Sequence, residues 1–201
     1  RQVVYILRRE PDKPRVPKNT NREARLTSAI EHLRPELERV GSPLPEKVAV
    51  SCGFPSKSAT SASRRRIGEC WHKSASDGET PHVFITPLMD DAIEVLGVLV
   101  HELVHAAGHM GHKADFAKPA KALGLEGKMT ATTIGDELRE SLAALAERLG
   151  PYPHTAIKVS SLGPKQSTRM LKVECPECGC VARMTRKWLD EVGSPRCGCG
   201  S

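Results

Sequence analysis

Long apolar segments and aromatic side chains are both scarce in this chain of 201 residues. The longest apolar run covers residues 95–100, far short of the roughly 20 residues that a membrane-spanning helix needs. Residues 3–7 are also apolar, but this stretch is too short for the core of a secretory signal peptide, and no small-residue cleavage site follows it. Phe, Trp and Tyr make up only 3% of the chain, so few rings are present to stack on nucleobases. The lack of a long apolar run argues against a membrane protein, and the lack of a signal-peptide pattern argues against a secreted one.

The seven cysteines do not indicate a disulfide framework. Their number is odd, and five of them fall within the last 27 residues. Such crowding is typical of metal binding in a reducing compartment. We therefore expect a cytoplasmic protein that binds a metal near its C-terminus.

Composition and charge indicate an ordinary globular protein with basic ends. Hydrophobic residues make up 39% of the chain and charged residues 27%, and the length suits one domain with a small additional module. The net charge of +6 is concentrated in residues 1–50, with 11 basic and 7 acidic side chains, and in residues 155–201, with 8 and 4. Basic ends suit a polyanion such as DNA, but many proteins of similar charge bind none, so charge alone leaves that question open.

Apolar spacing predicts a mixture of helices and short strands. The segment at residues 92–107 is apolar on nearly every side, so its helix must be buried, and Asp90 and Asp91 suit its first turn. A capping-box sequence at residues 20–23 begins another amphipathic helix. Trp71 lies between apolar neighbours in a predicted strand, which favours a place in the core. The predicted helices cover residues 20–40, 92–107, 114–123 and 136–149, and the predicted strands cover residues 48–54, 67–71 and 82–86.

One pattern on the buried helix is typical of a metal site: His101, Glu102 and His105 form the sequence His-Glu-Leu-Val-His. Residues four apart on a helix differ by about 40° in direction and about 6 Å in height, so both imidazoles can bind one ion. Glu102 points about 100° away from His101, a position from which it can act as general base. Without a shared metal, burying these polar side chains would cost roughly a few kcal/mol each, which favours a metal site over a chance pattern.

A catalytic zinc needs a third protein ligand and one open position. His109 would stand about 12 Å along the axis from His101 if the helix continued, so it can join only after a break. Gly108 and Gly111 supply such a break, and beyond it His112 can fold back toward the ion, so His112 is the preferred third ligand. The metzincin spacing is excluded, because it would need a histidine at Gly111. The remaining candidates are His109, a carboxylate, His72 and His82.

A second metal site is predicted at the C-terminus. Four cysteines occur there as two closely spaced pairs separated by 18 residues, the pattern of a closed tetrahedral zinc site in a small ribbon. Cys180 is a fifth candidate that we do not count among the zinc ligands. Cys52 and Cys70 lie on separate predicted strands and are expected to pack as small hydrophobic side chains. The predicted structural zinc ligands are Cys175, Cys178, Cys197 and Cys199.

Basic side chains surround the C-terminal cysteines, accompanied by one aromatic ring. They could contact phosphates while the ring stacks on a base, or they could form a plain basic surface with the ring packed on the ribbon, and the sequence favours neither. Residues 64–66 are three consecutive arginines, more typical of a solvated loop than of a phosphate-binding arm. The candidate nucleic-acid contacts are Lys172, Arg183, Arg186, Lys187 and Trp188.

The histidine motif, together with Gly-His-Lys-Ala-Asp-Phe at residues 111–116, resembles the SprT-like family of zinc metalloproteases, the Spartan-related group. The resemblance extends to Gly-Glu-Cys-Trp at residues 68–71 and Phe-Ile-Thr-Pro at residues 84–87. It implies that His112 completes the catalytic zinc site and that a C-terminal zinc ribbon follows, as in many bacterial and phage members. It also implies a DNA-linked protein substrate, with single-stranded DNA as a further partner, in the cytosol of a bacterium or of a phage-infected host.

The expected protein is therefore α+β, with a zincin-like metalloprotease domain whose short β-sheet packs on the histidine-motif helix, followed by a small zinc ribbon. The expected divisions are an N-terminal extension at residues 1–19, the metalloprotease domain at 20–150, a linker at 151–169 and the ribbon at 170–201. We expect a zinc-dependent endopeptidase with one catalytic and one structural zinc. We expect it to have no membrane partner and no nucleotide cofactor. The alternative is a non-catalytic, zinc-containing nucleic-acid-binding or transcription-associated protein.

Overall fold

The computed structural model of the chain describes residues 21–61, 63–162 and 170–200. The chain divides into two compact units, the first ending at Val159 and the second starting at Ser160. Both units combine helix with a small sheet, so the fold is α+β, with five α-helices and seven strands across the described residues. No helix in those residues is both long enough and apolar enough to cross a bilayer.

The first helix, α1 (Arg22–Arg39), begins one residue later than the capping-box sequence predicts. Its N-cap is Asn21, whose side chain accepts a hydrogen bond from a first-turn amide at 2.8 Å. The carboxylate of Glu23 accepts a hydrogen bond from the Cys52 amide at 3.0 Å. This contact ties the start of the helix to the first strand. Thr20, the predicted cap, lies outside the described residues.

A three-stranded sheet supports one side of the first unit, formed by β1 (Ala49–Cys52), β2 (Gly68–Trp71) and β3 (His82–Ile85). β1 is parallel and β2 antiparallel to β3, and the order β1-β3-β2 places β2 at one edge. The prediction that Trp71 is a core residue is wrong, because its side chain is 47% exposed. Cys70 packs against the core, and side chains alternate along a strand, so the next residue faces outward.

Helix α2 (Ala92–Ala106) lies at the centre of the first unit. Asp91 caps its start by accepting hydrogen bonds from the amides of Ile93 and Glu94, each at 2.9 Å. The helix packs against α1, β2 and β3, which explains why it is apolar on nearly every side. Its side chains form the middle of the core, with Val95, Leu96, Leu99, Val100, Leu103 and Val104 all buried.

Two further helices and a hairpin complete the packing around α2. Helices α3 (Ala114–Ala122) and α4 (Asp136–Leu149) lie within one residue of their predicted bounds. Between them is an antiparallel hairpin that the sequence does not predict, formed by β4 (Leu125–Lys128) and β5 (Ala131–Ile134). Strand β5 contacts α2, and this contact brings the hairpin beside the histidine motif.

The first residues of the predicted linker are bound to the first unit. The Ile157 amide donates to the Pro87 oxygen at 3.0 Å, and the Ala156 amide donates to the Asp90 carboxylate at 3.1 Å. Nε2 of His154 donates to the same Pro87 oxygen at 2.7 Å. These bonds explain why the first unit extends past α4.

The second unit has little apolar burial. It contains an antiparallel pair, β6 (Met170–Glu174) and β7 (Val181–Thr185), followed by α5 (Arg186–Val192). None of residues 170–200 is fully buried, so this part of the chain has no hydrophobic core of its own. A unit of this size with no core needs another source of stability.

Candidate metal centres

Three imidazoles converge at the C-terminal half of α2. His101 and His105 come from the helix, and His112 comes from the loop that follows it. Nε2 of His112 lies 3.2 Å from Nε2 of His101 and 3.2 Å from Nε2 of His105. A tetrahedral zinc with bonds of 2.0–2.1 Å would hold such nitrogens about 3.3–3.4 Å apart. The fold therefore brings the three predicted ligands together at a spacing that fits one ion.

The second nitrogen of each helical imidazole has a partner of its own. Nδ1 of His105 lies 2.5 Å from the backbone oxygen of His109, and because a carbonyl only accepts, Nδ1 carries the proton. In the neutral ring, Nε2 of His105 then presents its lone pair to the cluster. Nδ1 of His101 lies 2.9 Å from Oγ1 of Thr132 in β5. Partners of this kind orient imidazoles that bind metals.

Burial favours the neutral form of these rings. Burial, followed by the neighbouring imidazoles, lowers the pKa of His101 to about 3, and burial also lowers the pKa of His105 and of His112. One proton placed between the three Nε2 atoms cannot give each of them a hydrogen bond, because an N–H group points at a single acceptor. A cation that accepts all three lone pairs satisfies the whole set, and zinc is compatible with these donors.

Phe116 of α3 forms an apolar wall against the cluster. Its side chain is fully buried, and its ring centroid lies 4.5 Å from that of His105, 4.8 Å from that of His101 and 5.0 Å from that of His112. A ring that touches all three imidazoles restricts their orientations and keeps water from that side. His112, the predicted third ligand, is thus held by packing as well as by the return of the loop.

Glu102 is only 6% exposed and is not a member of the histidine cluster. Its side chain lies against the backbone of Gly68 in β2, where a Cβ atom would fall 2.9 Å from Cγ of Glu102 and closer still to the carboxylate. Burial raises the pKa of Glu102 to about 8, while the charge of Arg66 lowers it and that of Glu69 raises it. A carboxyl group with a pKa near neutrality can both accept and return a proton. A divalent cation nearby would lower this pKa by its charge.

The histidine cluster and Glu102 line a cleft of about 740 Å³. One stripe of α2 lies along the cleft, with β2 on one side and the β4–β5 hairpin on the other. Two of the three consecutive arginines, Arg65 and Arg66, also line it. Arg66 is exposed and forms an ion pair with Glu69 at 2.6 Å. The arginine segment is therefore solvated, and part of its charge is already paired.

Strand β2 presents an edge to this cleft. The Ile67 oxygen accepts a hydrogen bond from the Thr86 amide at 2.9 Å. Antiparallel pairing alternates along the strand, so the N–H and C=O groups of Gly68 and Cys70 point away from β3. No other described strand pairs with β2 on that side. An unpaired strand edge therefore lies beside Glu102.

The other histidines weighed as third ligands lie elsewhere. Nε2 of His109 contacts Oγ of Ser42 at 3.0 Å, so this residue offers the cluster its backbone oxygen and not its ring. His72 caps a short 3₁₀ turn with its own side chain, and His82 lies in β3. None of these three rings belongs to the histidine cluster.

The four predicted cysteines also converge. Sγ of Cys175 lies 3.5 Å from Sγ of Cys199, and Sγ of Cys178 lies 3.4 Å from Sγ of Cys197. All four sulfurs lie within 4.8 Å of one another. Thiolates bound at 2.3 Å to a tetrahedral zinc would be about 3.8 Å apart, so the set is compatible with zinc. All seven cysteines are among the described residues, and none of them forms a disulfide.

A tight turn brings the first cysteine pair together. Gly179 has a φ of 72°, a left-handed conformation that glycine adopts without strain, and its amide donates to the Cys175 oxygen at 3.0 Å. The Cys175 amide donates in turn to the Cys180 oxygen at 2.9 Å. Cys180 thus takes part through its backbone, and its thiol is not a member of the cysteine cluster.

The candidate nucleic-acid contacts lie on the surface of the second unit. Lys172 and Arg183 are directly opposite each other across β6 and β7, and Lys172 also pairs with Glu174. Nζ of Lys187 lies 5.4 Å from the ring centroid of Trp188, whose side chain is 51% exposed. Like charges placed opposite each other destabilise a sheet, so an anion bound there would relieve the repulsion. The five predicted residues are all exposed: Lys172, Arg183, Arg186, Lys187 and Trp188.

Two contributions to the histidine cluster have no local sequence signal. Thr132 lies in the hairpin that the sequence does not predict, and His109 contributes a carbonyl group that every residue type possesses. Both contacts depend on how separate segments pack.

No family model, no curated protein and no solved structure matches this chain.

Proposed function

We propose that the chain is a zinc-dependent endopeptidase of the SprT-like type, with a zincin-like first unit and a zinc ribbon as the second. One observation carries the proposal: Glu102 and three converging imidazoles line a single cleft. Three protein ligands leave one coordination position open, as catalytic zinc requires, whereas four cysteines leave none. The two clusters therefore suit one catalytic and one structural ion.

Glu102 has the properties of a proton carrier in peptide hydrolysis. The three imidazoles would hold zinc, and the bound ion would lower the pKa of water and polarise a carbonyl group. Glu102 would accept a proton from water and return it to the leaving amine. The close approach of the Gly68 backbone restricts where the carboxylate can lie.

The cleft suits an extended polypeptide. The outward N–H and C=O groups of Gly68 and Cys70 can pair with the backbone of a substrate segment, which would add a strand to the sheet. Pairing of this kind recognises the main chain and depends little on side chains. We therefore expect cleavage of flexible segments in unrelated proteins.

We further propose that DNA, in particular single-stranded DNA, brings the protein substrate to the enzyme. Support comes from the basic ends of the chain and from the exposed basic residues around Trp188. A half-exposed indole can stack on a base while neighbouring cations contact phosphates. Binding of this type weakens as salt concentration rises.

Incubating the zinc-loaded chain with a basic DNA-binding protein tests the proposal. We expect cleavage that a chelator stops, that added zinc restores, and that single-stranded DNA accelerates at low salt more than at high salt. Gel electrophoresis and mass spectrometry measure the products. If the chain holds both zinc ions and binds DNA but leaves the substrate and itself intact, the non-catalytic nucleic-acid-binding alternative replaces the proposal.

Replacing Gly68 with Ala is expected to displace the Glu102 carboxylate. The added methyl group would lie 2.7 Å from Cγ1 of Val98 as well as against Glu102, closer than van der Waals contact allows. A misplacement of about 1 Å can cost about 100-fold in rate, so we expect kcat to fall by about that factor with unchanged metal content. Steady-state kinetics and elemental analysis measure the two quantities.

Gly53→Ala is the matched control for this substitution. A Cβ at Gly53 would meet only Cδ1 of Phe84, at an ordinary 3.9 Å, so its kcat should stay near the wild-type value. Equal rates for the two variants would mean that the close approach of Gly68 to Glu102 does not matter for turnover.

A further inference from the structure

Helix α1 ends in a motif that fixes the residues after it. Gly41 has a φ of 77°, and its amide donates to the Glu38 oxygen at 2.9 Å. The Ser42 amide donates to the Leu37 oxygen at 2.8 Å. These two bonds around a left-handed glycine form a Schellman motif. Ser42 is therefore held in one place by the end of the helix, and it is only 2% exposed.

Helix α2 ends in the same way, close to the histidine cluster. Gly108 has a φ of 108°, and its amide donates to the His105 oxygen at 2.8 Å. The His109 amide donates to the Val104 oxygen at 3.4 Å. His109 thus occupies after α2 the position that Ser42 occupies after α1.

The two equivalent residues contact each other through their side chains. Oγ of Ser42 lies 3.0 Å from Nε2 of His109, although they are 67 positions apart in the sequence. The backbone oxygen of His109 in turn lies 2.5 Å from Nδ1 of His105. The same short loop then leads to His112. His109 is therefore connected to a buried anchor on one side and to two members of the histidine cluster on the other.

The rest of this loop has little support from neighbouring atoms. Residues 110–113 are exposed, and no heavy atom of the described residues lies within 4 Å of the place where a Cβ of Gly111 would be. Apart from the ring of His112, which packs against Phe116, the loop is consequently held at its two ends, by His109 and by the start of α3. Loss of the Ser42 contact would release the first of these ends.

We propose that Ser42 and His109 are positioning residues that set the metal affinity of the histidine cluster from outside it, a role that rests on the proposed function of that cluster. Their contact holds the His109 carbonyl against His105, which fixes the lone pair of Nε2 toward the metal. It also fixes the start of the loop that presents His112. Neither residue is a member of the histidine cluster, and neither lines the cleft.

Cobalt(II) titration of the full metal-free chain tests this proposal. Bound cobalt gives a thiolate charge-transfer absorption at the cysteine cluster that the histidine cluster lacks, so both sites are followed in one molecule. Ser42→Ala and His109→Leu should each weaken cobalt binding at the histidine cluster by about 10- to 100-fold, the usual effect of losing an outer partner. Affinity at the cysteine cluster should not change.

His109→Gln is the conservative comparison, because its amide can replace the Nε2 contact with Ser42. We expect it to keep most of the wild-type cobalt affinity. If Ser42→Ala does not fold, His109→Leu against His109→Gln makes the same comparison. The double variant Ser42→Ala with His109→Leu should bind cobalt no more weakly than the single variant with the lower cobalt affinity, because both changes remove the same contact.

Three results separate the possible failures. Wild-type affinity at the histidine cluster in both single variants overturns the positioning role. Fully additive losses in the double variant also overturn it, because they would show two independent effects. A wild-type chain that loads only its cysteine cluster instead overturns the proposed function.

Discussion

Replacing Glu102 with Gln is expected to lower kcat for protein cleavage by about 10²- to 10⁴-fold, the usual contribution of a general acid–base group, with unchanged metal content. Glutamine preserves the length and shape of the side chain, but its amide does not accept a proton from water. Because Glu102 is not a member of the histidine cluster, all three imidazole ligands remain. Cleavage rates at saturating substrate and elemental analysis measure the two effects.

Glu94→Gln is the matched control for this variant. Glu94 lies on the same helix and lines the same cleft, but it forms an ion pair with Arg139 at 2.8 Å and is not beside the histidines. Its kcat should remain near the wild-type value. If the Glu102 variant turns over at the wild-type rate, or if both variants are equally slow, Glu102 is not the proton carrier.

The buried helix and the two candidate metal ligands on it are predictable because independent signals agree on them. Asp91 marks the start, an apolar segment follows, and Gly108 marks the end, and the structure places α2 at Ala92–Ala106. On any such helix, a spacing of four residues directs two imidazoles to the same side. The place of His112 is less determined by sequence. A break in the helix permits its return, but contact with Phe116 is part of what holds it there.

The β4–β5 hairpin illustrates what the sequence does not reveal. Leu125–Lys128 contains a glycine and two charged residues, and Ala131–Ile134 has one large apolar side chain, so neither shows the alternation of a half-buried strand. Packing on α2 determines instead that these residues form strands. A Cβ at Gly97 would lie 2.6 Å from Cγ1 of Ile134, so the glycine permits the close approach. Thr132 reaches the histidine cluster as a consequence.

The two candidate metal centres differ in how much the surrounding fold contributes. The histidine cluster, two of whose rings come from α2, lies against Phe116 in the first unit, and described residues of that unit form a hydrophobic core. The cysteine cluster lies in a unit without any fully buried residue at positions 170–200. We therefore expect the fold around the histidine cluster to form without an ion, and the fold around the cysteine cluster to depend on one.

Replacing Cys178 with Ser is expected to remove one metal ion per chain and to unfold the second unit. Structural zinc contributes about 10–16 kcal/mol to small zinc domains, far more than the exposed side chains of β6, β7 and α5 can supply. Hydrogen exchange should show rapid exchange of the amides at residues 170–200 and unchanged protection of α2. Elemental analysis measures the ion.

Cys180→Ser is the matched control, because it makes the same change two residues away. Only the backbone oxygen of Cys180 takes part in the turn, so this variant should keep its metal and the protection of its amides. Both variants should retain the ion of the histidine cluster, since the core around it belongs to the first unit. If residues 170–200 stay protected in the Cys178 variant, packing and not metal holds the second unit. If the Cys180 variant loses an ion, Cys180 must be counted among the ligands.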